Sequence, residues 1–160
     1  MSWFIRNMRD VQWYGDGFGV YGDFEQGERF PELGFNFGVA WPGQPFALYH
    51  REDHQEGFLV LSGECLVIVE GEERVLEAWD YFHCPAGVAH ILVGAGEGPA
   101  FVVAVGGRVG PANPIYPVDP VALKHGAGVE RETTVPAEAY APFPEAEPIP
   151  FREEFLPGLA

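Results

Sequence analysis

The stretch YHREDHQEGFLVLSGE, residues 49–64, places five side chains of the types that bind metals within seven positions, directly before an apolar run. The five are His50, Glu52, Asp53, His54 and Glu56. His50 and Glu52 are two residues apart on a predicted strand, so their side chains project to the same side, and Glu56 follows after a tight turn. Imidazoles and carboxylates in this pattern are typical of a metal site or of a charged, solvated loop, and the stretch alone leaves both interpretations open.

A second stretch, DYFHCPAGVAH at residues 80–90, carries another histidine at the beginning of a predicted strand. Pro85 and Gly87 favour a turn between two strands, and His90 begins the second of them. If the strands curl into a barrel, His90 can meet the first cluster from the opposite sheet. His83 and Cys84 are adjacent, so they face opposite sides of their strand and at most one of them points inward.

Short apolar runs separated by turn residues predict an all-β fold. The chain has 21 Gly and 15 Pro, which leaves no room for long helices. About eight strands are expected between residues 35 and 106, some of them apolar on both faces. This pattern indicates a sandwich or a closed barrel whose outer side is also covered. The predicted strands cover residues 35–41, 46–52, 57–62, 64–70, 74–77, 80–84, 90–93 and 101–105.

The two stretches together resemble the paired motifs of the cupin superfamily. The first motif of that family is Gly, five residues, His-x-His, three or four residues, Glu, six residues and Gly. The second motif contains Pro-x-Gly, two residues and His. The matching residues are Glu56 and Gly63 in the first motif and Pro85, Gly87 and His90 in the second.

The resemblance covers about residues 39–106 and includes departures from the family pattern. Counting back from Glu56 places Glu52 at the usual position of the second His and His50 at that of the first. The other departures are Trp79 in place of the opening Gly of the second motif, Gly94 where Asn is common, and Gly43 one residue too far upstream.

The resemblance implies a double-stranded β-helix, a cupin-type jelly-roll barrel, that holds one divalent transition-metal ion per chain. The implied ligands are His50, Glu52, Glu56 and His90, with His54 as the alternative ligand if the turn is wound differently. Two imidazoles and two carboxylates suit Zn, Fe, Mn or Ni, and the sequence does not choose among these metals. The walls of a small-molecule pocket are expected from Phe46, Leu48, Phe58, Val60 and Leu92.

Cupin-like proteins include dioxygenases, isomerases, decarboxylases, sugar-binding regulators and storage proteins, so the fold does not fix the activity. The leading hypothesis is a metal-binding protein that acts on or binds a small molecule inside the barrel, with oxygenase or isomerase chemistry if it is an enzyme. The alternatives are a non-catalytic module that binds or senses a small ligand or carbohydrate, and a metal-free scaffold. No Arg or Lys pair is evident within the barrel for an anionic substrate, which slightly favours binding over catalysis.

The segments outside the barrel are predicted to be extended arms. Residues 1–34 would form an N-terminal arm, residues 35–107 the barrel core, and residues 108–160 a C-terminal extension packed on the barrel or on a partner subunit. One short helix is expected at VALKH, with Asp119 as its N-cap and Pro120 in its first turn. The stretch VPAEAYAP predicts a further single helical turn.

Charge and composition exclude several classes of partner. The formal net charge of −15 repels phosphate backbones and anionic membranes, so neither nucleic acid nor a membrane is expected as a partner. The N-terminal residues contain no recognisable signal peptide, and no apolar run approaches the roughly 20 residues of a spanning helix. A cytoplasmic protein with reduced Cys65 and Cys84 is therefore predicted. Strands that are apolar on both faces also predict a homodimer.

Overall fold

The computed structural model describes residues 3–156, and most of their regular structure is β-strand. The strands are β1 (Gln12–Gly15), β2 (Val20–Asp23), β3 (Leu33–Ala40), β4 (Glu56–Ser62), β5 (Glu64–Val69), β6 (Glu72–Glu77), β7 (Tyr81–Cys84), β8 (His90–Ala95), β9 (Ala100–Gly107) and β10 (Glu147–Ile149). Seven of the eight predicted strands correspond to β3–β9 with ends that differ by at most two residues.

These strands form two antiparallel sheets that pack face to face. The large sheet has the order β10-β1-β2-β3-β9-β4-β7, and the small sheet has the order β6-β5-β8. Val60 and Val102 from the large sheet share a buried cluster with Cys65, Val67 and Leu92 from the small sheet. The apolar faces of both sheets therefore meet in one core, and the predicted all-β fold is confirmed.

The tight turn between β4 and β5 depends on a glycine. Gly63 has a φ of 75°, in the left-handed region that residues with a Cβ rarely adopt. A Cβ at this position would also collide with the backbone carbonyl of Pro99. The glycine that ends the first motif is thus required where the chain crosses from the large sheet to the small one.

The predicted strand at residues 46–52 is wrong, because this segment forms only isolated bridges. Several of its backbone donors bond instead to residues in the C-terminal part of the chain. The Leu48 N–H donates to the Tyr140 hydroxyl at 3.2 Å, and the Tyr49 N–H donates to the Ala127 carbonyl at 2.7 Å. These partners are distant in the sequence, so the local alternation of side chains does not reveal them.

Both ends of the chain contribute strands to the large sheet. β1 and β2 extend this sheet beyond β3, and β10 pairs with β1. Trp13 on β1 is fully buried, and its ring lies 5.1 Å from the ring of Phe37 and 5.1 Å from that of Phe155. Parts of both predicted arms are thus continuous with the sheet of the barrel. The division of the chain after residues 34 and 107 stays a prediction.

Two short helices follow the barrel, as the sequence predicts. α1 (Pro120–Lys124) begins after Asp119, whose carboxylate accepts hydrogen bonds from the N–H groups of Val121 at 2.9 Å and Ala122 at 2.8 Å. α2 (Pro136–Ala139) is a single turn. No helix in residues 3–156 is long and apolar enough to cross a membrane.

Candidate functional site

Three of the predicted ligands converge from separate segments of the chain. The His50 N–H donates to the His90 carbonyl at 3.2 Å, and the His90 N–H donates to the His50 carbonyl at 2.9 Å. This backbone bridge holds the two imidazole rings at a centroid distance of 5.3 Å. Glu56, the first residue of β4, adds its carboxylate from the large sheet. The side chains of His50, Glu56 and His90 are called the His/Glu cluster below.

Both imidazoles of the cluster point their Nε2 atoms at one carboxylate oxygen. Glu56 Oε2 lies 3.2 Å from His90 Nε2 and 4.0 Å from His50 Nε2. The other ring nitrogens contact backbone carbonyls: His50 Nδ1 is 2.8 Å from Leu48 O, and His90 Nδ1 is 3.1 Å from Val88 O. Because a carbonyl can only accept, each Nδ1 carries a hydrogen, and Nε2 remains available to the site. Metal-binding histidines are commonly oriented in this way.

The charges of the cluster follow from burial and from mutual contact. Burial lowers the pKa of His50, and the neighbouring His90 lowers it further, so this ring is neutral. Burial also acts to lower the pKa of His90, but contacts with Cys84 and Glu56 outweigh it and raise that pKa. Burial acts to raise the pKa of Glu56, yet the two histidines more than offset this and the pKa is lowered. The ligand-free cluster is therefore a His90–Glu56 ion pair beside a neutral His50.

One atom of this cluster lacks a hydrogen-bond partner. Glu56 Oε2 is buried, and neither imidazole contact has the geometry of a hydrogen bond. The neutral His50 ring presents an acceptor Nε2 to this oxygen, so two electron-rich atoms face each other across a short gap. A buried carboxylate oxygen without a hydrogen bond costs free energy even beside the His90 ion pair, and a cation in the gap would satisfy both this oxygen and His50 Nε2.

Glu52 and His54 contact each other and not the Glu56 oxygen. Glu52 Oε1 lies 3.5 Å from His54 Nδ1, and His54 Nε2 lies 3.2 Å from the Val109 carbonyl. Burial raises the pKa of Glu52, and the nearby charge of Glu56 raises it further. Within residues 3–156, no three His, Cys, Asp or Glu side chains form a group that could hold a metal ion as they stand. The structure thus does not assemble the predicted set of four ligands.

A cavity of about 390 Å³ lies beside the His/Glu cluster inside the barrel. Three predicted pocket residues line it, namely Phe46, Phe58 and Leu92. Leu48 and Val60 do not line it: Leu48 is buried in a different hydrophobic cluster, and Val60 is buried behind the lining residues of its own cluster. A hollow of about 460 Å³ at residues 128–143 includes no member of the His/Glu cluster, so the smaller cavity is the candidate ligand site.

Residues 37–106 match the family model of the cupin domain. Two solved structures of cupins have a similar fold. A sugar phosphate isomerase of the cupin superfamily from Silicibacter pomeroyi is 18% identical with a TM-score of 0.59, over 64% of this chain and 74% of that chain. An RmlC-like cupin from Shewanella frigidimarina is 21% identical with a TM-score of 0.56, over 68% of this chain and 93% of that chain. Residues 37–106 are therefore a cupin domain.

A further solved structure resembles this chain over a longer part of its length. The polyketide cyclase from Streptomyces resistomycificus is 14% identical with a TM-score of 0.57, over 77% of this chain and 93% of that chain. No curated protein matches the sequence. At these identities the similarity shows the fold alone, and it confirms the predicted double-stranded β-helix.

Two departures of this cupin from the family motifs have a backbone explanation. Trp79 stands where the second motif begins with Gly, and it adopts a φ of 77°, the left-handed conformation that Gly favours. Its N–H donates to the Val60 carbonyl at 2.7 Å, so the turn keeps its geometry in spite of the bulky residue. Gly94 stands where Asn is common, and a Cβ there would collide with the Trp41 carbonyl.

Sequence reasoning missed the polar residues that reach the cavity from outside the two motifs. Asp16, Tyr21, Asn36 and Tyr140 all line it. The Tyr140 hydroxyl accepts the Leu48 N–H at 3.2 Å, which leaves the hydroxyl hydrogen available to donate into the cavity. Asp16 lies between two glycines, a pattern that predicts only a turn, so nothing in the local sequence indicates that it reaches the barrel.

Proposed function

We propose that this cupin binds one divalent transition-metal ion through the His/Glu cluster and acts on a small molecule held in the adjacent cavity. The observation that carries the proposal is the buried Glu56 Oε2, which has no hydrogen-bond partner and lies 3.2 and 4.0 Å from two imidazole Nε2 atoms. The carbonyl contacts that fix both Nδ1 atoms support it as well. The donor chemistry suits Zn, Fe, Mn or Ni.

The side chains of the His/Glu cluster are of the types that bind metal ions. For all three to bind one ion, the distance between His50 Nε2 and Glu56 Oε2 has to shorten. Two ligand atoms that are each 2.0–2.1 Å from an ion lie about 3.0–3.4 Å from each other. The distance of 3.2 Å between His90 Nε2 and Glu56 Oε2 meets this condition, whereas that of 4.0 Å from His50 Nε2 is too long. A small shift of the Glu56 carboxylate toward His50 would close the gap while both Nδ1 contacts remain.

A divalent ion at this site would supply Lewis acidity toward an oxygen atom of a bound molecule. The residues of the cavity supply the remaining functions. Phe46, Phe58 and Leu92 keep water away from the cluster and bind an apolar surface, and Tyr140 offers a hydrogen-bond donor. Isomerisation and oxygenation are the reaction types that we propose. Binding without turnover would favour the alternative, a non-catalytic module for a small ligand or carbohydrate.

Protein purified without added metal should contain close to one divalent transition-metal ion per chain, and removal of that ion by EDTA should lower the melting temperature. An ion that binds only the folded state stabilises the fold by mass action, by about 2.7 kcal/mol at a hundredfold excess over its Kd. Elemental analysis and thermal denaturation before and after EDTA measure both effects. Protein without metal that also shows no thermal shift with Mn, Fe, Ni or Zn would contradict the proposal.

We also propose that the protein is a homodimer. Val75, Trp79 and Tyr81 come from β6, β7 and the connection between them, and all three side chains are exposed. β6 and β7 each lie at the edge of a sheet, where unpaired backbone groups favour pairing with another chain. A second copy that covers this surface would remove both the apolar side chains and the open edges from water.

Light scattering at micromolar concentration should therefore give twice the chain mass of 17.6 kDa. Trp79→Asn should shift the mass toward the monomer without damage to the fold, because Asn tolerates the positive φ of 77° at this position. Val109→Asn is the matched control, since it removes another exposed apolar side chain. A monomeric wild-type protein, or equal effects of the two variants, would count against this surface as the interface.

A further inference from the structure

The cavity has a second polar end, formed by residues that lie outside the cupin motifs. Asp16 and Tyr21 come from the N-terminal segment, and Tyr140 follows α2. Burial raises the pKa of Tyr21 and of Tyr140, and the charge of Asp16 raises both further. The carboxylate therefore lies near two phenols that stay protonated. These three residues are called the acidic end of the cavity.

The strand register places the acidic end far from the His/Glu cluster on the same inward face of the large sheet. Tyr21 pairs with Gly38, Gly38 with Val102, and Val102 with Val60. Val60 in turn is four positions along β4 from Glu56. Three strand spacings of about 4.8 Å and four residues of about 3.3 Å thus separate Tyr21 from Glu56 along the sheet. A ligand that reaches both ends has to be elongated.

The wall between the two ends is apolar and carries no basic side chain. The apolar side chains along it include Phe46, Phe58, Leu92 and Val102. Among the described residues that line this cavity, none is Lys or Arg. Arg29 and Arg108 line an adjoining cavity of about 220 Å³ that shares Glu56 with this one, and Arg108 is paired there with Glu25. A phosphate group at the acidic end of the barrel cavity would therefore find no basic side chain.

Asp16 is a partly buried carboxylate without a cationic partner. No ion pair among residues 3–156 includes it. Its Oδ1 accepts the Phe18 N–H at 3.1 Å in a local turn. Burial raises the pKa of Asp16, since its charged form has lost part of its hydration. A ligand group that donates a hydrogen bond would replace that hydration, whereas an anionic group would add a second negative charge.

We propose that the small molecule bound in this cavity is an uncharged, mainly apolar alcohol or phenol whose hydroxyl donates to Asp16, and that a phosphate group is excluded from the acidic end. Its apolar body lies against the phenylalanine walls, and its other end faces the His/Glu cluster. This inference rests on the proposed function, because it concerns the same cavity, and it supplies the substrate class for that function. The class differs from the one in the name of the Silicibacter protein.

Three probes that share one ring system test the inference on the full-length protein. 1-Naphthol has a hydroxyl donor, 1-methoxynaphthalene lacks the donor, and 1-naphthyl phosphate carries the anionic group. Equilibrium dialysis at neutral pH should show 1-naphthol bound at least roughly tenfold more tightly than the other two, since a hydrogen bond to a charged group is worth about a factor of ten or more. A phosphate ester that binds as tightly as 1-naphthol, or no binding of 1-naphthol up to its solubility, would overturn the inference.

Asp16→Asn keeps the Oδ1 acceptor of the turn and removes the charge. This substitution should lower the affinity for 1-naphthol roughly tenfold and reduce the preference for 1-naphthol over 1-naphthyl phosphate. Asp23→Asn is the matched control, because Asp23 Oδ1 accepts the Glu25 N–H at 2.7 Å in a similar turn but does not line the cavity. Equal effects of the two variants would overturn the inference, as would an unchanged probe preference in Asp16→Asn.

Metal content measured in the same samples separates this inference from the proposed function. Asp16→Asn should keep the metal content of the wild-type protein, because Asp16 is not part of the His/Glu cluster. Wild-type protein that prefers 1-naphthol but binds no metal would overturn the metal proposal and support this one. Wild-type protein that holds a metal but shows no preference for 1-naphthol would overturn only the substrate class.

Discussion

Glu56→Gln should lower the affinity of the metal-free protein for Mn(II) or Ni(II) at least about a hundredfold, since even residues that only support a ligand typically contribute 10–100-fold. Among residues 3–156, Glu56 is the one side chain whose oxygen lies within 4.0 Å of both imidazoles of the cluster, at 3.2 Å and 4.0 Å. The amide keeps the shape of the side chain but removes the negative charge. Calorimetric titration of each metal into the metal-free variants measures the loss directly.

Glu52→Gln is the matched control for this experiment, because it makes the same change four residues earlier in the chain. Glu52 contacts His54 at 3.5 Å, so we expect its variant to bind metal within about threefold of the wild-type protein. His54→Ala should likewise leave metal binding intact and change stability by no more than about 0.5 kcal/mol. If Glu52→Gln loses as much affinity as Glu56→Gln, Glu52 turns inward when the ion binds, and the four-ligand set predicted from the sequence is correct.

The barrel could be predicted from the sequence because the residues that end its strands and form its turns act locally. Glycines and prolines mark the turns between short apolar runs, and Gly63 shows why one of these residues is needed on steric grounds. The segment at residues 46–52 could not be predicted in the same way. It has the alternation of a strand, but the Leu48 and Tyr49 amides bond to Tyr140 and Ala127, and nothing in the local sequence indicates those partners.

The same division between local and distant contacts applies to the candidate site. The spacing within two short motifs indicates His50, Glu56 and His90, which the structure brings together. The Glu52 side chain can point toward His54 or toward the His/Glu cluster. The spacing of residues along the sequence does not determine which of the two it contacts. Asp16 belongs to a segment with no motif, and the register of β1 and β2 on the large sheet is what carries it to the cavity.

Trp13→Ala should lower the free energy of unfolding by about 3–5 kcal/mol, a large part of the 5–15 kcal/mol that a typical domain possesses. The Trp13 side chain has no exposed surface, and its Nε1–H donates to the Met8 carbonyl at 2.9 Å. Its removal leaves a cavity between Phe37 and Phe155, which the rigid sheet cannot fill. Urea denaturation of the variant and the wild-type protein gives the difference.

Trp3→Ala is the control for this substitution, since the Trp3 side chain is 88% exposed and its loss should change stability by no more than about 0.5 kcal/mol. Trp13 also anchors the segment that carries Asp16 and Tyr21 to the cavity. We therefore expect Trp13→Ala to weaken 1-naphthol binding at temperatures where the barrel is still folded, while Trp3→Ala leaves it unchanged. If Trp13→Ala lowers the free energy of unfolding by less than about 1 kcal/mol, the N-terminal strands are not packed on the barrel in solution. Asp16 would then be absent from the ligand site as well.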